Sequence, residues 1–131
     1  MSQTLVVPLM VTLGKRKFHN YWLTMNNYRN WMGIVSNNIK VAFKASLDLS
    51  HLTPIIGPVH IHYTFYYPNL AHRDIGNSLA VIDKFTADAL VEANIIPDDN
   101  YTIVQSISAE FGGIDRDNPR CLVTITQKEQ I

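Results

Sequence analysis

Three groups of residues between positions 72 and 99 have the types and spacing for metal-assisted chemistry on a phosphate. Asp74 opens the stretch, Lys84 stands midway, and Asp98 and Asp99 close it. Carboxylates hold Mg2+, which polarises a phosphoryl oxygen and activates a water, and an ammonium beside them stabilises developing charge. Each group also has an ordinary structural role. Asp74 suits a helix N-terminus, Lys84 and Asp88 make an i,i+4 pair, and Asp98-Asp99-Asn100 after Pro97 makes a turn. A strand, a helix and a short return loop would bring Asp74, Lys84 and Asp99 into one polar cluster.

The order and spacing of these residues resemble the RusA-type Holliday-junction resolvases, endonucleases encoded mostly by phages and prophages. The resemblance rests on Arg73-Asp74-Ile75-x-Asn77, then Lys84 and Asp88-Ala89-Leu90-Val91, then Ile96-Pro97-Asp98-Asp99-Asn100. The family pattern is Arg-Asp-(Leu/Ile)-Asp-Asn, Lys-x-x-x-Asp-(Ala/Gly)-Leu, and Asp-Asp after a turn. By that resemblance Asp74 and Asp99 are Mg2+ ligands with Asp98 in support, Lys84 steadies charge on the phosphate, and Arg73 contacts DNA. The resemblance implies a Mg2+-dependent endonuclease that resolves four-way DNA junctions in recombination and repair. It also implies a homodimer, since a two-fold junction suits a two-fold enzyme.

The chain departs from the pattern at Gly76, where the family has its second Asp. The interval from Asn77 to Lys84 is also longer by about one turn, which preserves the facing of a helix. Three accounts of Gly76 stand open. Asp83 or Asp88 replaces the missing carboxylate, although Asp83 lies about 100° from Lys84 around the helix. Alternatively, one metal held by Asp74 and the Asp pair suffices. In the third account the protein is a cleavage-deficient relative that binds branched DNA or a replication or recombination protein.

Charge is distributed unevenly. Eleven basic and eleven acidic residues cancel, whereas nucleic-acid binders usually carry a positive excess. Yet Lys15, Arg16, Lys17, Arg29, Lys40 and Lys44 all precede the first acidic residue, Asp48. Lys15-Arg16-Lys17 reads as a solvated turn or as a set of phosphate contacts, and the resemblance favours the second. Arg29, Lys40 and Lys44 read as a solvent-facing stripe.

The elements that must position these groups follow from periodicity. A length of 131 residues, 47% hydrophobic, fits one domain spanning residues 1–131 and excludes disorder. Thr4 to Leu13 reads as a strand limited by Pro8, and 18–23 as a short second one. Tyr28, Trp31, Val35, Ile39, Ala42 and Phe43 recur at helical spacing, predicting a helix over 26–46 capped by Asn26 or Asn27. Val59 to Tyr67 alternates as a strand, with His60 and His62 on one face as exposed sheet residues rather than metal ligands. A helix over 75–93 follows, with Asn94 as its left-handed stop. Tyr101–Phe111 and Arg120–Gln127 read as an antiparallel hairpin. The order strand-strand-helix-strand-helix-strand-strand predicts an α+β fold, a mixed sheet packed by two main helices.

No run is long enough to span a membrane. The apolar N-terminal stretch precedes its basic residues, the reverse of a secretory signal. Cys121 cannot form an internal disulfide and alternates with Val123 and Ile125, which predicts a buried thiol and is compatible with a cytoplasmic location.

Overall fold

Val59–Tyr67 forms the central strand of the molecule, and its alternation decides where the core lies. Val59, Ile61, Tyr63, Phe65 and Tyr67 point to one side and are buried, whereas His60, His62 and Tyr66 point to the other. The computed structural model describes residues 1–14 and 19–128. These residues form an α+β domain with a mixed sheet and three helices. In chain order the elements are β1 (Ser2–Val7), β2 (Met10–Leu13), β3 (His19–Trp22), α1 (Met25–Tyr28), α2 (Gly33–Ala45), β4 (Val59–Tyr67), α3 (Ile75–Glu92), β5 (Val104–Ile114) and β6 (Arg120–Gln127).

The main sheet has the order β1-β6-β4-β5, and β2 pairs with β3 in a separate hairpin. The strand predicted over Thr4–Leu13 is thus two strands. Pro8 has no N–H to donate, so the ladder that pairs Val7 with Cys121 stops there and the chain leaves for the hairpin.

The single helix predicted over 26–46 is broken as well. Thr24 caps α1, its hydroxyl accepting from the Asn27 N–H at 3.3 Å. The Asn30 side-chain amide then donates to the Asn26 carbonyl at 3.0 Å, and the Asn30 N–H turns to Asn27. An asparagine that competes for the i–4 carbonyl ends a helix early, and α2 restarts at Gly33.

The predicted β5–β6 hairpin does not form. Helix α3 carries the chain back across the sheet, so β5 runs parallel to β4 on its outer edge. Strand β6 instead inserts between β1 and β4, antiparallel to both. Its Cys121, Val123 and Ile125 are wholly buried there, a position that an edge strand does not offer. Strand β5 also begins three residues later than Tyr101, because the Asn100 side chain binds the Thr102 N–H at 2.9 Å and holds a turn.

Strand β4 and helix α3 agree closely with expectation. Helix α3 starts at the Asp74 cap and ends before Asn94, whose φ of 60° is the left-handed stop. Its face of Val81, Ile82, Phe85, Ala89 and Leu90 packs on the sheet. Phe85 meets Phe43 of α2 edge-on at 5.5 Å and Tyr28 of α1 at 6.2 Å. One ring thereby joins all three helices. Burial pushes the Cys121 thiol up to about 12, which makes it an inert core residue. Phe85→Ala should therefore lower stability by about 3–5 kcal/mol, read as a fall in the urea midpoint with an unchanged slope.

Candidate functional site

The helix α3 N-terminus, the end of β4 and the β3–α1 junction meet around a cavity of about 320 Å3. Arg73, Asp74 and Asn77 line it together with Trp22, Asn26 and Tyr67. Three of the motif residues singled out in the sequence are therefore neighbours in space.

Their positions have local causes. Asp74 has extended backbone, and its carboxylate accepts from the Gly76 N–H at 2.9 Å. The Arg73 guanidinium carbon lies 5.6 Å from the centroid of the Trp22 ring and 5.2 Å from that of Tyr67. Cation–π contact with both rings and Nη1 bonds to the carbonyls of Asn69 and Ala71, each 3.3 Å, hold the guanidinium. Asn77 accepts from the Asn26 N–H at 3.1 Å, which ties α1 to α3. Beneath them the Tyr67 hydroxyl donates to Ser78 at 3.2 Å, and burial raises the Tyr67 pKa. A guanidinium held by two carbonyls near two aromatic rings, with Nη2 and Nε making no hydrogen bond among the described residues, is suited to an anion.

The other expected residues lie elsewhere. Lys84 is exposed with its ammonium 5.3 Å from the Tyr28 ring centroid, and no ion pair involves it among the described residues. Asp88 pairs with Lys40 rather than Lys84, and Glu92 pairs with Lys44. These two basic residues, expected on a solvent stripe, are joined to α3. Asp98 spends both oxygens on its own turn, accepting from the Asp99 N–H at 2.7 Å and the Asn100 amide at 2.8 Å. The first of these bonds is the main reason its pKa is lowered.

Asp83 lies in the middle of α3. Asp83 accepts from the Tyr63 hydroxyl at 2.5 Å. Burial raises the pKa of Asp83, the Tyr63 bond opposes that, and the charge of Asp99 adds to it. Asp83 is nine residues beyond Asp74, about 13 Å along the helix axis. Among the described residues no group of three or more acidic, His or Cys side chains can hold a metal ion. The described residues Asp74, Asp98 and Asp99 therefore do not form the metal-holding group expected from the sequence. Lys15, Arg16 and Lys17 lie outside the described residues. Trp22, Tyr67 and Asn26 were not anticipated in the site; only the aromatic content of Phe18–Leu23 hinted at the first.

Compared with known proteins, the chain matches no protein-family model and no curated protein. Among the described residues no helix is long and apolar enough to cross a membrane.

Two outcomes follow from this geometry. A Cβ at Gly76 would meet only the Asp74 Oδ1, at 3.3 Å, so a short side-chain shift admits a carboxylate. Gly76→Asp should bind Mn2+ more tightly than the natural chain in calorimetry, by about tenfold or more for one added anionic ligand. Asp83 supports the fold best when neutral. Its raised pKa means stability is lost as pH rises from the ordinary aspartate value through the folded one. Asp83→Asn should therefore raise the urea midpoint at pH 7 and leave it nearly unchanged at pH 3.

Proposed function

We propose that this chain is a RusA-like protein of the cytoplasm that recognises branched DNA, with four-way junctions as its substrate class. The observation that carries this reading is the convergence of Arg73, Asp74 and Asn77, the first run of the family-like motif, on one aromatic-lined cavity. Arg73 makes the phosphate contact there, held near Trp22 and Tyr67. Asp74 holds the helix end that carries Asn77, so the carboxylate serves position as well as charge. Among the described residues no three acidic, His or Cys side chains group to hold Mg2+, and on that ground binding without nicking is the reading we favour.

A second reading, Mg2+-dependent nicking by a homodimer, draws on the charge of Asp99 being felt at Asp83. On this reading Asp83 stands in for the carboxylate missing at Gly76. A labelled four-way junction distinguishes the two readings. Salt-sensitive junction binding with no nicks in Mg2+ or Mn2+ supports the first. Paired symmetric nicks, lost in Asp99→Asn and in Lys84→Ala, support the second. Affinity for the junction no better than for linear duplex overturns both. On the first reading Arg73→Ala should weaken junction binding about tenfold and flatten its salt dependence by about one phosphate. Asp74→Asn, which keeps the helix cap, should leave the fold intact.

A further inference from the structure

The face of the sheet turned away from the helices carries a continuous chain of side-chain hydrogen bonds between β4 and β5. Ser106 bonds His60 Nδ1 at 2.6 Å, and His60 Nε2 bonds Ser108 at 2.7 Å. Ser108 also bonds His62 Nδ1 at 2.6 Å, and His62 Nε2 reaches Glu110 at 3.0 Å. Residues two apart on a strand are separated by about 6.6 Å, which the two diverging ring nitrogens of one imidazole can span. The two rings lie 21° from parallel with centroids 6.5 Å apart.

Donor and acceptor accounting fixes the direction of this ladder. An ionised Glu110 only accepts, so His62 carries its proton on Nε2. His62 Nδ1 must then accept from Ser108, whose oxygen is left to accept from His60 Nε2–H. His60 Nδ1 in turn accepts from Ser106. One extra proton is absorbed without loss. It enters at His60 Nδ1, the bonds out to His62 Nδ1 reverse, and the charge comes to rest on His62 beside Glu110. A second proton has no such outlet. It leaves two cations about 6.5 Å apart that share one serine oxygen and one carboxylate.

Among the described residues, the neighbouring strands set no carboxylate opposite them. Strand β6 presents Thr126 opposite His60 and Thr124 opposite His62, and β1 adds Ser2 and Thr4. Lys128 follows β6 with its N–H on the Pro58 carbonyl at 2.8 Å, and a cation at that end adds to the repulsion; at the other end Arg120 lies 4.2 Å over the β4 residue Tyr66 and pairs with Asp115.

The ladder lies where β5 is otherwise weakly held. Strand β5 is the sheet edge and pairs only with β4. Register shifts interrupt that pairing at Val59/His60 and at Phe65/Tyr66, so the ladder occupies the regular segment between them. On the helix side of the same segment Ile107 and Phe111 remain 44% and 53% exposed, so apolar packing there is thin.

We propose that this ladder is a proton-operated lock on edge strand β5, closed while the imidazoles hold at most one extra proton between them and open when they hold two. The lock is independent of the DNA-binding reading and uses the opposite face of the sheet. Hydrogen exchange by mass spectrometry on the whole chain, corrected for intrinsic rates, tests it at pH 8 and pH 5, which bracket histidine titration. Protection of the 104–114 segment should fall by about tenfold at pH 5, in keeping with the repulsion of two unit charges near a protein surface, while that of 121–127 is retained. The fall should vanish in the His60→Gln/His62→Gln double variant. Equal protection of β5 at both pH values, or the same fall in the double variant, overturns the lock. A measurement on the natural chain needs no variant: imidazole nitrogen NMR at pH 8 should find both rings protonated on Nε2, and an Nδ1–H tautomer on either ring overturns the proposal.

Discussion

The structure depends on one contact, the apolar face of α3 against the inner face of β4. Phe85, Ile82 and Val81 cover the row that runs from Val59 to Tyr67, and all of these residues are almost fully excluded from water. Removing that much apolar surface from water is the dominant favourable term available to a chain of this size. Because α3 must lie along β4 to achieve it, the chain emerges at the opposite end of the sheet. Strand β5 can then only run parallel to β4. The same contact places Asp74 at one end of the helix and the Asp98-Asp99 turn beyond the other.

That geometry divides the polar residues of α3 into separate stations. At the N-terminus, Asp74 and Asn77 join Arg73, Trp22 and Tyr67 around a cavity. Near the middle, Asp83 sinks toward Tyr63 and meets the charge of Asp99. Toward the C-terminus, Asp88 and Glu92 bind Lys40 and Lys44 and fasten α2. Half-exposed pairs of this kind contribute little stability, roughly 0–1 kcal/mol each. Their consequence is electrostatic, since two of the basic residues of the N-terminal third face carboxylates of this chain. Arg73 differs because its partners are rings and carbonyls, so its charge is not neutralised.

The two faces of β4 illustrate how a single strand can serve two purposes. Its inner residues make the core, as expected for a half-buried strand. Its outer residues, His60 and His62, are fully engaged by Ser106, Ser108 and Glu110 of the neighbouring strand. Alternation identifies the face that His60 and His62 occupy. Which strand lies beside them, and so which partners they meet, depends on the crossover made by α3.

Much of this molecule was legible from residues close together in the chain. The bounds of β4, α3 and β6, the Asp74 cap, the left-handed Asn94 and the burial of Cys121 all follow from periodicity and terminal residues, because backbone preference is decided within a few residues. The α+β class followed from the succession of elements. Tertiary structure alone decided the parallel placement of β5, the insertion of β6 between β1 and β4 and the pairing of Lys40 with Asp88. Those outcomes are differences in free energy between alternative long-range pairings, and a period of two or 3.6 residues is the same in each alternative. The choice among them belongs to the packing of α3, in which residues scattered over most of the chain take part at once.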